Sequence, residues 1–107
     1  MSETFKRVQD LANAGTIRIS EHGYDQLVAD DIFVHDVLDS VVDGKIVEDY
    51  PDYPKGPCVL VLQRDRCGKP IHIVWGIPKG YSEPAVVVTG YRPDQDQWHK
   101  DYLRRRM

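Results

Sequence analysis

The segment CVLVLQRDRCGKPIHIVWGI, residues 58–77, decides how the rest of the chain is read. Its first part, Cys58 to Arg64, is a nearly continuous apolar run, the pattern of a central strand covered on both faces. DRCGK (65–69) has the chemistry of a hairpin turn. PIHIVWGI (70–77) alternates, with Ile71, Ile73, Trp75 and Ile77 on one face and His72 and Val74 on the other. Working outward, KIVEDY (45–50) is strand-like and runs into PDYPKGP (51–57), whose prolines make a stiff, extended loop. PKGYSEP (78–84) is a second turn region. AVVVTGYR (85–92) is the last strand, in which Val86, Val88 and Gly90 alternate with Val87, Thr89 and Tyr91.

Before Lys45 the apolar period is 3.6 rather than 2. Ser2 caps a first helix through about Ala14, with Glu3 in its first turn and Phe5, Val8, Leu11 and Ala12 at helical spacing. Gly15 follows as a natural terminator. TIRIS (16–20) is short and alternating, an extended connector or edge strand. Ser20 caps a second helix, EHGYDQLVA (21–29), where Tyr24, Leu27 and Val28 share a face. In VHDVLDSVVDG (34–44), Val34, Val37, Leu38 and Val41 line one side of a third helix, and His35, Asp36, Asp39 and Asp43 face out. Helices first and a meander after them predict an α+β domain. Its N-terminal helices pack on one face of a roughly four-stranded antiparallel sheet, and a short C-terminal helix or tail follows, around Trp98–Arg105. The opposite face, or the strand ends, is left for function.

A chain of 107 residues is most simply one domain, residues 1–107. No apolar run approaches the roughly 20 residues that span a bilayer. The polar start MSETFKRVQDL lacks the apolar core of a secretory signal. A cytoplasmic protein without membrane association is expected. Cys58 reads as a small buried hydrophobe and Cys67 as a turn residue between Arg66 and Lys69. No Cys-x-x-Cys pair points to zinc or redox chemistry.

The net charge of −3 conceals an asymmetry. Residues 1–54 carry 4 basic and 12 acidic side chains, net −8, and residues 55–107 carry 10 basic and 5 acidic, net +5. Either this is solvated charge on two kinds of surface, or one face receives an anion while the other repels it or binds a basic partner.

No histidine belongs to a close metal-binding pattern, so no metal and no cofactor is expected. Glycine-rich phosphate loops and nucleophile elbows are absent from the sequence. His22, where the second helix begins, is a capping residue or a general acid or base. His72 is a half-exposed strand residue. The basic and aromatic set after the central strands comprises Arg64, Arg66, Lys69, Tyr91, Arg92, Trp98, His99, Lys100, Tyr102 and Arg104 to Arg106. Arginine recognises phosphate with a planar fork, and aromatic faces stack splayed bases. Their interleaving suits single-stranded RNA. Against that, Trp98 and Tyr102 also have the spacing to pack a terminal helix on the sheet.

At ISEHGY, HDVLDSVVDGKIVEDYPD, CVLVLQRDRCGKPIHIVWGI and VVVTGYRPDQDQW the chain resembles the bacterial domain of unknown function 4258 family, from about Ile17 to Trp98. That resemblance implies the compact barnase/colicin/RelE-like toxin superfold and a metal-independent endoribonuclease held inactive by an antitoxin partner. Many relatives carry arginine four residues after the helical histidine, where this chain has Gln26. The mechanism implied is attack of a ribose 2′-hydroxyl on the adjacent phosphate. His22 would serve as base or acid, Arg92 as phosphate clamp, and Tyr91 as stacking group or proton donor. Arg64, His72, Trp98 and Lys100 would support the RNA. The alternative is a non-catalytic module of the same fold that binds protein.

Overall fold

The computed structural model describes residues 2–106. Helix α1 (Glu3–Asn13) begins where the Ser2 hydroxyl accepts the Phe5 N–H at 3.0 Å. Then come β1 (Ile17–Ile19), α2 (Glu21–Ala29), and α3 (Val34–Ser40) with a 3₁₀ turn (Val41–Asp43). Strands β2 (Lys45–Tyr50), β3 (Cys58–Arg64), β4 (Pro70–Gly76) and β5 (Ala85–Tyr91) complete the fold. The sheet order is β1-β5-β4-β3-β2. β2 to β5 form the expected antiparallel meander.

The expected four-stranded antiparallel sheet is in fact five-stranded and mixed. β1 pairs parallel to β5, with Ile17, Arg18 and Ile19 opposite Ala85, Val86 and Val87. Three residues carry too little alternation to identify a partner, so this pairing is set by tertiary structure. No helix among the described residues is long and apolar enough to cross a membrane.

All three helices cover one sheet face. Phe5 and Val8 of α1, Leu27 of α2 and Val37 of α3 meet Val59, Val61, Ile71, Ile73, Trp75 and Val87 in one core. Its buried polar centre is Gln63. The amide nitrogen donates to the Val37 carbonyl (2.7 Å) and the Ser40 hydroxyl (2.9 Å), and the amide oxygen accepts the Trp75 indole N–H (2.8 Å). One satisfied amide therefore ties α3 to β3 and β4.

α2 occupies residues 21–29 as the sequence indicates, but it is rotated from the expected orientation. Gly23 lies so close to β5 that a Cβ there would sit 2.6 Å from the Val87 carbonyl oxygen. Ser20 accepts the Gly23 N–H and donates to the Val88 carbonyl, pinning the same turn. Gly23 and Leu27 therefore face inward, while Tyr24 and Val28 are 54% and 57% exposed. Asp36 also departs from expectation: it is buried and bonded to Arg66 rather than facing out. In β5 a register shift opposite Val74/Trp75 breaks the simple alternation, so Val87 and Gly90 pair with the core residues Trp75 and Ile73.

No helix forms around Trp98–Arg105. The Asp94 and Asp101 carboxylates take the N–H groups of Asp96 and Leu103, and Tyr102 adopts φ 58°. Such local side-chain bonds compete with helix formation. The segment closes as a small loop, with an antiparallel bridge between Trp98 and Arg105.

Candidate functional site

With the helices on one face, the other sheet face is available, and it divides into a covered half and an open half. The tail covers the first. His72, fully buried, lies with Nδ1 3.2 Å from the Tyr91 hydroxyl and Nε2 2.8 Å from the Tyr102 carbonyl oxygen. A carbonyl can only accept, so this geometry assigns the proton to Nε2 and leaves Nδ1 to accept from Tyr91. Trp98 meets the imidazole edge-on at 4.4 Å between ring centroids. Arg105 lies over the Trp98 ring at 4.7 Å and pairs with Glu48 at 3.0 Å. Leu62, opposite His72 in the β3–β4 ladder, is buried as well.

Burial pushes the His72 pKa down and the Tyr91 pKa up. The hydrogen bond from Arg105 holds Glu48 below the ordinary carboxylate range, against the opposing effect of burial. His72 is thus a neutral imidazole with both nitrogens engaged. That is a packing role, and the expected half-exposed strand histidine is not found.

The open half is a groove of about 590 Å³. Val74 and Gly76 of β4, Val86 and Val88 of β5 and Cys58 of β3 line its floor. Arg18 projects from β1, while Tyr50, Tyr53 and Lys55 come from β2 and the proline-rich loop. Gly56 fixes that loop: φ is +124°, and a Cβ would lie 2.1 Å from the Ile77 carbonyl oxygen. Lys79 N–H to Lys55 O (3.1 Å) and Ile77 N–H to Pro57 O (3.0 Å) bind the loop to the chain leaving β4. The Tyr50 hydroxyl donates to Glu48 at 2.7 Å, and this bond raises the phenol pKa. Burial raises the Cys58 thiol. Among the described residues, two cations and no carboxylate line the groove.

A second cavity, about 490 Å³, lies between α3 and the β3–β4 turn. Asp36, Asp39, Asp43 and Asp65 line it with Lys45, Arg64 and Arg66, so its charges largely offset one another. Arg66 is committed to Asp36 at 3.0 Å and lies over Phe33. Arg64 donates to the Gly68 carbonyl at 3.2 Å.

The residues selected from sequence separate accordingly. His72, Tyr91 and Trp98 come together under the tail, whereas His22, Arg64, Arg92 and Lys100 do not join them. His22 is exposed in the first turn of α2. Arg92 lies at the far end of that helix. Its N–H donates to the Asp30 carboxylate (2.8 Å), and its guanidinium reaches the Asp30 carbonyl (3.0 Å), the Asp31 carbonyl (3.2 Å) and the Asp65 carboxylate (3.0 Å). The eight residues from His22 to Asp30 correspond to roughly 12 Å of helix. Neither His22 nor Arg92 lines either of the two cavities. Lys100 is exposed in the tail.

Sequence reasoning missed Arg18, Tyr50, Tyr53 and Lys55. The available signals were the alternation of TIRIS, which sets Arg18 opposite Ile17 and Ile19, and the rigid loop carrying Tyr53 and Lys55. Among the described residues no group of three or more His, Cys, Asp or Glu side chains is arranged to hold a metal ion.

A family model described as Domain of unknown function (DUF4258) matches residues 19–98, from the end of β1 to Trp98, and the chain belongs to that family. Neither curated proteins nor solved structures gave a match.

Proposed function

We propose that this member of the DUF4258 family binds single-stranded RNA across the open half of its sheet face, between Arg18 and the Tyr50–Lys55 rim. The observation that carries this reading is the groove's make-up: exposed Tyr50 and Tyr53 and the cations Arg18 and Lys55 around an apolar floor. Neither cation joins a salt bridge among the described residues. An unstacked base offers an apolar face to the valines and tyrosines, each stacking contact contributing about 1–3 kcal/mol. The attached phosphates meet the cations. A duplex withholds its base faces and would be the poorer ligand. A cytoplasmic location accords with such a ligand.

Fluorescence anisotropy with a labelled oligoribonucleotide tests this. Tyr53→Ala is expected to weaken binding by roughly 5- to 100-fold, the equivalent of one stacking contact, and Arg18→Glu to weaken it further. Full affinity in both variants would reject the groove as the RNA site.

One contact favours a second reading, the metal-independent endoribonuclease of a toxin–antitoxin pair. Tyr50 and Glu48 form a phenol–carboxylate pair at the groove's edge. In this reading Glu48 takes the 2′-hydroxyl proton, the freed oxygen attacks phosphorus, and Tyr50 protonates the departing 5′-oxygen. The Arg105 ion pair that lowers the Glu48 pKa also weakens it as a base, which ranks binding above cleavage. Products ending in a 2′,3′-cyclic phosphate in the presence of chelator, lost in Tyr50→Phe, would reverse that order.

A further inference from the structure

The groove leaves the opposite side of the molecule unused, and α2 there presents an unusual outer surface. Residues 19–44 contain seven acidic side chains and no lysine or arginine. Glu21, Tyr24, Asp25 and Val28 stand at i, i+3, i+4 and i+7, a single helical stripe, and all four are exposed. The apolar pair on this stripe is more than half exposed, as noted above, because Gly23 and Leu27 take the inward positions. Asp30 and Asp36 are engaged by Arg92 and Arg66, whereas Glu21 and Asp25 form no salt bridge among the described residues.

We propose that this stripe is a docking surface for a protein partner that supplies a basic amphipathic helix. An apolar pair one turn apart, flanked by carboxylates at the adjacent positions, is one half of a helix–helix seam with charged borders. The complementary half carries apolar residues at the same spacing and lysine or arginine beside them. Charge disfavours RNA on this side, because Glu21 and Asp25 repel phosphate. It also disfavours a second copy placed stripe to stripe, since carboxylates would then face carboxylates. The contact spans little more than two helical turns, so it belongs with small, transient interfaces. This surface is separate from the sheet groove, and its failure would leave the RNA reading intact.

The test uses the full chain and a synthetic amphipathic helix of about 14 residues, leucine on one face and lysine on the other, labelled for anisotropy. A glutamate-for-lysine version and a scrambled version are the controls. The wild type is expected to bind the lysine helix at least tenfold more tightly than either control. Raising salt from about 50 mM to about 300 mM should weaken binding several-fold.

Tyr24→Ser with Val28→Ser removes the apolar pair, and Glu21→Gln with Asp25→Asn removes the charge. These positions are outward-facing, so both variants are expected to keep the wild-type melting temperature and groove affinity for RNA while losing at least fivefold in peptide affinity. As a fold-independent measurement, amide shift changes on peptide addition should centre on residues 21–28. Equal binding of the two charge versions, unchanged peptide affinity in both variants, or shift changes centred elsewhere would overturn the proposal. So would sedimentation showing a Tyr24-dependent dimer of the wild type.

Discussion

Arg92 was the natural choice for a phosphate clamp: an arginine after the last strand, beside a tyrosine and before a proline. The structure uses its guanidinium for the chain itself, closing the carbonyls of Asp30 and Asp31 and the buried Asp65 carboxylate. The loop around Asp65 completes that carboxylate's environment. Burial alone would raise its pKa, but the N–H groups of Lys69 and Cys67 together with Arg92 outweigh it and hold it below the ordinary value. Arg92→Ala removes one of three partners of this carboxylate together with the links to the α2 carbonyls, and is expected to cost about 1–3 kcal/mol in urea unfolding. A phosphate clamp would instead lose RNA affinity at constant stability. His72 supplies a second residue-level prediction. Burial lowers its folded pKa beneath the ordinary 6.5, so below that pH the unfolded chain takes a proton that the folded chain refuses. Stability should fall as pH drops from about 7.5 to about 5.5, and much of that slope should vanish in His72→Gln. The depressed carboxylates Asp65 and Glu48 act lower, their contribution being lost as pH falls beneath their ordinary values of 3.8 and 4.5.

At the scale of elements, what was legible depended on how local the cause was. The α2 boundaries follow from the Ser20 cap, and sequence placed them to the residue; its rotation follows from the contact of Gly23 with β5, which no helical period encodes. A larger residue there must push α2 off the sheet. Gly23→Ala gains up to about 1 kcal/mol of helix propensity but is expected to lose about 1–3 kcal/mol to overpacking, a net fall in melting temperature. The strands of the meander were legible from periodicity, and the β5 bulge was not, because it appears only against β4. The tail was misread as a helix for a similar reason: Trp98 and Tyr102 have helical spacing, yet Asp94 and Asp101 divert the backbone. Trp98 does pack on the sheet, one of the two readings open from sequence, but from a loop rather than a helix. Trp98→Ala should cost about 3–5 kcal/mol, measured by thermal or urea unfolding.

Across the whole molecule, charge follows the fold rather than the halves of the chain: Arg18 of the acidic half shares the groove with Lys55 of the basic half. The acidic stripe of α2 belongs to the helical layer, and Arg18 and Lys55 border the opposite sheet face. The candidate site itself was largely illegible, because its residues come from four places: β1, β2, the proline-rich loop and the bare half of the sheet. Only the tail's choice of which half to cover makes them a groove. Two cations make a definite statement about salt. With about −0.7 per phosphate neutralised on single strands, the plot of log affinity against log salt should have a slope of about −1.4. A slope steeper than about −3 would bring the terminal arginines into the RNA contact and overturn the two-cation groove.

The pairing of β1 with β5 has a consequence for how these molecules behave toward one another. Ala85, Val86 and Val87 form an apolar run whose outer backbone would be free for a neighbour's strand, and three residues of β1 occupy it. At the other margin, β2 bears a bulge beside Val47 and the charges of Lys45, Glu48 and Asp49. Both margins are thereby poor templates for lateral growth into fibrils. A chain shortened by its first 19 residues would lose this protection at β5 along with the α1 side of the core, and thioflavin fluorescence should rise in it under conditions where the full chain stays dark.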